Sequence, residues 1–239
     1  MVRFSSGGDE YPDSGAQQSS PEGRDVQAHA GVAGASVTAE SASIQTTTHL
    51  WLIWATITVD RGIAARRARH AALLESDSAE VSRCMRQEFD ASLVAVADAV
   101  HALDALYGST AVPQTTRDTW RGKGTKRHGK IREALKSLFE TGPVQTKWVT
   151  DFEWLFDLRD AAAHPKESPQ ETVPHPLGTH SAPTFVDYSM ESAIKACEIT
   201  LAVLRRCTDN PRSSQPTALK WAAAHEPDIA ELERRWTQA

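Results

Sequence analysis

The chain is 239 residues long, 40% hydrophobic and 24% charged, with a formal net charge of −5. This composition predicts a soluble globular protein with one domain and a tail. The longest apolar run, residues 50–59, is far shorter than the roughly 20 residues of a membrane-spanning helix, and no secretory signal follows Arg3. Three cysteines without a Cys-x-x-Cys pair are typical of reduced thiols. We therefore expect a cytoplasmic protein with no membrane partner.

The first 43 residues differ from the rest of the chain in composition. They are rich in Ser, Gly, Ala and Gln, and they hold two basic against six acidic residues, which leaves residues 44–239 at a net charge of only −1. Such a segment buries too little apolar surface to offset its loss of entropy on ordering. We predict a disordered acidic tail over 1–43, either a flexible appendage or an arm that binds a partner.

Apolar residues recur at helical spacing through most of the remaining chain. This spacing predicts helices over about 47–75, 79–107, 131–139, 146–165, 186–207 and 216–236, the second ending at Gly108 and the last open to interruption at Pro227. The proline-rich segment 165–183 is predicted to lack regular structure. No strand alternation persists, so we predict an all-α fold: an antiparallel helical bundle of four to five main helices over 44–212, followed by a helical extension over 213–239.

A basic segment precedes the predicted third helix and is a candidate RNA-binding surface. Its candidate residues are Arg117, Trp120, Arg121, Lys123, Lys126, Arg127 and Lys130. Basic side chains can follow a phosphate backbone, and a tryptophan can stack on a base. A Gly- and Lys-rich surface loop without a ligand is the alternative. His175 and His180 have no second pair of metal ligands near them, so we expect solvated histidines, with no metal and no cofactor.

The helix over 146–165 ends with more polar chemistry than packing requires. Asp160 and His164 are four residues apart, which puts them on one helical face where they can hydrogen-bond. Arg159 and His164 are about 140° apart on an ideal helix, but Pro165 pushes His164 out of the α region and frees its ring to swing toward Arg159. Imidazole transfers protons, guanidinium matches phosphate oxygens and a carboxylate can orient an imidazole. Metal-independent RNA cleavage needs such a set.

The octet Leu-Arg-Asp-Ala-Ala-Ala-His-Pro at 158–165 resembles the signature of the HEPN domain superfamily: Arg, a polar residue that is often Asn, three residues, then His. The resemblance extends to helix order over about 45–210. It implies a metal-independent endoribonuclease, a hydrolase that acts on RNA as a homodimer, often as a toxin with an antitoxin or other partner protein, or in antiviral defence. Arg159 would be the phosphate-binding catalytic residue, His164 the acid or base, and Asp160 the orienting residue. Asp in place of Asn departs from the commoner pattern.

Two other functions remain open from the sequence. One is a non-catalytic helical module of the same architecture that binds RNA, a nucleotide or a partner protein, which burial of Arg159 and His164 in intramolecular contacts would favour. The other is a structural bundle whose acidic tail recruits partners. In both, the 158–165 element is a helix end with an ordinary Arg–Asp pair and a capping histidine, and the chain is not an enzyme.

Overall fold

Six long helices and one short helix make up most of the computed structural model, which describes residues 49–110, 125–164 and 171–239. In chain order the elements are α1 Leu50–Leu74, α2 Ser78–Ser109, α3 Arg127–Leu138, α4 Val144–Ala163, β1 Val173–Pro174, β2 His180–Ser181, α5 Pro183–Asp187, α6 Met190–Asp209 and α7 Pro216–Gln238. The predicted all-α bundle is confirmed, and the described helices belong to a single compact unit. The predicted tail over 1–43 lies outside the described residues.

Helices α1 and α2 form the framework on which the others pack. Only residues 75–77 join them, so the two helices run antiparallel and stay in contact along their length. The Asp77 carboxylate starts α2 by accepting hydrogen bonds from the N–H groups of Ala79 and Glu80, at 2.8 and 3.1 Å. Helix α6 packs against both framework helices, and α4 packs against α2 and α3.

The end of α2 differs slightly from the prediction. The helix continues through Gly108 to Ser109. The hydroxyl groups of Ser109 and Thr110 donate to the carbonyl oxygens of Leu106 and Tyr107, at 2.8 and 2.9 Å, and so satisfy acceptors that the helix end leaves free. A glycine in the left-handed conformation is therefore not needed to end this helix.

Part of the segment predicted to lack regular structure forms a small antiparallel hairpin from β1 and β2, followed by α5. His175, predicted to be solvated, is only 4% exposed in the turn of this hairpin. Its backbone N–H donates to Thr179 O at 2.7 Å, and its ring Nδ1 accepts a hydrogen bond from the backbone N–H of Leu177 at 3.2 Å. Burial lowers the pKa of His175. This histidine therefore holds the hairpin together and is not a free loop side chain.

The C-terminal helix is a single element that packs into the main core. Helix α7 runs without a break through Pro227, although a proline inside a helix removes one backbone hydrogen bond. Ile229, Leu232 and Trp236 are buried beyond that point and join the hydrophobic core. The burial of this face offsets the lost hydrogen bond. The predicted extension over 213–239 is thus part of the bundle.

Gly62 allows α1 to approach α6 and α7 closely. A Cβ atom at this position would lie 2.4 Å from Cys197 Sγ and 2.9 Å from Trp236 Cζ3. We expect Gly62→Ala to lower the free energy of unfolding by about 1–3 kcal/mol in urea denaturation, because the neighbours must shift. Gly108→Ala is the matched control: no atom lies within 4 Å of its Cβ, and alanine there should raise stability by about 0.5–1 kcal/mol. Equal stability of the two variants would contradict the close approach.

Candidate functional site

Helix α4 carries the candidate site at its C-terminal end and is anchored by one apolar face. Trp148, Phe152, Leu155 and Phe156 are buried, as their spacing of three and four residues predicts. The rings of Trp148 and Phe152 are stacked, with centroids 5.8 Å apart and planes at 11°. This face packs on α2 and α3 and so fixes the position of the C-terminal end of α4.

The end of α4 lies where the sequence predicts it. Ala163 is the last helical residue, and His164 leaves the α region at φ −131° and ψ 64°. The His164 N–H donates to Asp160 O at 3.0 Å and closes the last turn. The Tyr188 hydroxyl donates to Leu158 O at 2.6 Å, and burial raises the pKa of Tyr188 to about 12. This hydroxyl therefore stays protonated and ties the last two turns of α4 to the junction between α5 and α6.

The three motif side chains do not form one hydrogen-bonded set. Arg159 Nε lies 2.9 Å from Asp160 Oδ1, and the two side chains are 33% and 62% exposed. This contact is an ion pair without the geometry of a hydrogen bond. The exposed His164 ring makes no hydrogen bond or ion pair with any described residue. The expected hydrogen bond between Asp160 and His164 is absent, because His164 has left the helix on which the four-residue spacing depends.

The Arg159 guanidinium leans back along α4, away from the helix end. Its Cζ atom lies 5.5 Å from the ring centroid of Phe156, one turn earlier. Side chains on a helix point toward its N-terminus, so this direction is the ordinary one. The helix end therefore carries an arginine over Phe156 and, five residues further along, the His164 imidazole, which has no partner in the part of the chain that the structure describes. Arg159 is half-buried and His164 is exposed.

The candidate RNA-binding residues are only partly within the described part of the chain. Arg117, Trp120, Arg121 and Lys123 lie outside it. Arg127 begins α3 and forms an ion pair with Asp104 at 2.6 Å, while its Cζ lies 4.5 Å from the Tyr107 ring. These contacts hold α3 on α2. Lys126 is exposed, Lys130 is half-buried, and neither forms an ion pair with another described residue.

Helices α3 and α4 form a hairpin that brings the two predicted site elements together. Residues 139–143 join the helices, so they run antiparallel and the start of α3 lies beside the C-terminal half of α4. The turn is fixed to the chain after α6: the Glu140 N–H donates to Asn210 O at 2.7 Å, and the Arg212 N–H donates to Leu138 O at 3.0 Å. The basic residues at the start of α3 therefore lie next to the motif helix.

His128 is the residue of this region that sequence reasoning missed. Its ring centroid lies 6.0 Å from that of Phe156, the same ring that Arg159 covers. Burial lowers the pKa of His128, and the charge of Lys126 lowers it further, against the opposing effects of Glu153 and Asp157. The only sequence signal was a single histidine within a run of Lys and Arg, which by itself indicates nothing.

Over 49–110, 125–164 and 171–239, no three His, Cys, Asp or Glu side chains lie close enough together to bind a metal ion. Within the same ranges, every helix is too short or too polar to cross a membrane.

The chain was also compared with protein-family models, with curated proteins and with solved structures, and none of them matches it.

Proposed function

We propose that this chain is a metal-independent endoribonuclease of the HEPN type, which cuts single-stranded RNA by attack of a ribose 2′-hydroxyl group. The observation that carries the proposal is the end of α4. There Arg159 and His164 are both accessible, and the His164 imidazole has no hydrogen-bond or ion-pair partner among the described residues. The all-α bundle and the sequence at 158–165 support the same assignment.

Arg159 binds the scissile phosphate in this proposal. A guanidinium group presents paired N–H donors to phosphate oxygens and stabilises the negative charge that develops on them. In the free protein Asp160 occupies one edge of Arg159, but an ion pair this exposed contributes only about 0–1 kcal/mol. A phosphodiester can therefore displace the carboxylate at little cost. In this proposal Asp160 therefore pairs with Arg159 in the free protein and does not orient the His164 ring.

His164 transfers a proton during cleavage. Attack of the 2′-hydroxyl oxygen on phosphorus breaks the bond to the 5′-oxygen and leaves a 2′,3′-cyclic phosphate and a 5′-hydroxyl end. A histidine can serve as acid or base near pH 7. The protein acts as a cytoplasmic homodimer in this proposal, in a toxin or antiviral-defence setting, with an antitoxin or other partner protein to restrain it. Expression of the wild type should then be toxic to cells, and expression of His164→Ala harmless.

The test uses purified protein in EDTA and a fluorescent single-stranded RNA. We expect His164→Ala and Arg159→Ala each to lower the cleavage rate by about 10²–10⁴-fold, the usual contribution of a proton-transfer group or a charge-stabilising donor. Thermal melting should stay near that of the wild type, since neither side chain belongs to the core. His70→Ala, at an exposed histidine of α1, is the matched control and should keep full activity. Absence of cleavage that depends on His164 would contradict the proposal.

A non-catalytic module that binds RNA, a nucleotide or a partner protein is the second candidate. The Arg159–Asp160 ion pair favours it, because the pair engages Arg159 with Asp160 and leaves the His164 imidazole, which cleavage would need, outside it. This function predicts RNA binding in filter assays that weakens when Arg159 is replaced. It also predicts no product with a cyclic phosphate end for any variant. The same RNA and the same variants therefore separate the two candidates.

A further inference from the structure

Buried polar atoms without a partner are concentrated on the α3–α4 hairpin. Among the described residues, seven buried side-chain N or O atoms have no hydrogen-bond partner, and four of them belong to His128, Arg132 and Arg159. In His128 both ring nitrogens are in this state. Such groups are rare in folded proteins, because a buried donor or acceptor without a partner is destabilising, and each calls for an explanation. Arg159 Nε still has the Asp160 carboxylate 2.9 Å away in an ion pair, so the groups that point to a ligand are those of His128 and Arg132 on α3, beside the Arg159 helix.

The geometry points to His128 as the second catalytic imidazole of the site: it takes the proton from the 2′-hydroxyl group, while His164 protonates the leaving 5′-oxygen. This inference rests on the proposed function. With this assignment, the base comes from α3 and the acid from the end of α4.

Phe156 is the common reference for the residues involved. The His128 ring lies 6.0 Å from the Phe156 ring on the α3 side, and Arg159 Cζ lies 5.5 Å from the same ring. A phosphate bound to Arg159 therefore has His128 on the side of α3. His164 lies five residues beyond Arg159, at the end of α4. In-line displacement needs the base and the acid on opposite sides of phosphorus, and the two histidines belong to different parts of the fold, one on α3 and one at the end of α4.

The charged groups around His128 favour its role as the base. Burial and the positive charges of Lys126 and Arg132 favour the neutral ring, while Glu153 and Asp157 on α4 favour the protonated one, and the pKa is lowered overall. A neutral imidazole whose nitrogens have no partner can accept a proton. The Nε–H group of Arg132, also without an acceptor, is a donor for the phosphate oxygens, and the Arg159 guanidinium becomes one when the phosphate displaces Asp160.

The protons balance over the reaction. His128 receives the 2′-hydroxyl proton as the O2′–P bond forms. The P–O5′ bond breaks, and the 5′-oxygen takes a proton from the His164 imidazolium. His128 ends protonated and His164 neutral, and exchange with water restores both. No metal ion, oxidant or further reactant enters.

The experiment compares two substrates in EDTA: an RNA with the normal 5′-oxygen leaving group, and one with sulfur at that position. A thiolate leaves without protonation, so the acid becomes dispensable and the base does not. We expect His164→Ala to lose about 10²–10⁴-fold on the normal RNA and to recover most of the wild-type rate on the sulfur substrate. His128→Ala should lose a similar factor on both substrates. His70→Ala remains the control.

The outcomes separate this inference from the proposed function. A His128→Ala protein that keeps the wild-type rate while His164→Ala is inactive overturns the role of His128 and leaves the nuclease intact. Recovery of His128→Ala, instead of His164→Ala, on the sulfur substrate also overturns it. If the wild type shows no cleavage that depends on His164, the proposed function itself fails. If His128→Ala unfolds at a lower temperature than the wild type, His128→Gln is used in its place. In that variant we expect the fall in cleavage rate at low pH, which reports protonation of the base, to disappear. An unchanged fall in rate at low pH overturns the role of His128.

Discussion

Glu88→Ala is expected to lower the free energy of unfolding by about 3–5 kcal/mol, the cost of leaving a buried charge without its partner. The Arg69 and Glu88 side chains are 7% and 1% exposed. Two hydrogen bonds join them: Arg69 Nε donates to Oε2 at 2.7 Å and Nη2 donates to Oε1 at 2.5 Å. The Met190 N–H donates to the same Oε1 at 2.7 Å. Glu88 therefore links α1 to α2 and to the first residue of α6.

The pKa of Arg69 is raised above its ordinary value by two neighbouring carboxylates. Burial by itself lowers the pKa of this guanidinium, but the hydrogen bonds and charge of Glu88 raise it by more, with a further contribution from Glu191. Glu191 provides the matched control, since it contacts Arg69 at 3.1 Å from a side chain that is 51% exposed. We expect Glu191→Ala to cost less than about 1 kcal/mol in the same urea experiment. Equal losses of unfolding free energy in Glu88→Ala and Glu191→Ala would contradict a larger contribution from the buried Arg69–Glu88 pair.

Phe152→Ala is expected to lower the free energy of unfolding by about 3–5 kcal/mol, the range for removing a large buried aromatic side chain. Phe152 is fully buried and stacks on Trp148, so its loss leaves a cavity under the middle of α4. Chemical denaturation measures the effect. Leu74→Ala, at an exposed leucine of α1, should stay within about 0.5 kcal/mol of the wild type. A similar small change in Phe152→Ala would contradict the anchoring of α4 by this face.

Hydrophobic periodicity predicted the long helices well, because a helix of several turns repeats its apolar spacing many times. It failed for the shortest elements. The strands β1 and β2 have two residues each and α5 has five, which is too short for any repeat to be recognised. Pro227 indicated an interruption by a local rule, yet tertiary burial of the residues that follow outweighs one missing hydrogen bond. The burial of His175 likewise depends on packing between elements.

The sequence by itself determined that Arg159, Asp160 and His164 stand at the end of one helix, because spacing along a chain sets positions along a helix and Pro165 ends it. The tertiary structure decided which groups meet there. It leaves His164 without a partner among the described residues and brings His128 beside Phe156 from a point 28 residues away. Such contacts arise from the way two helices pack. Their energies depend on distance in space, and no pattern along either helix encodes that distance.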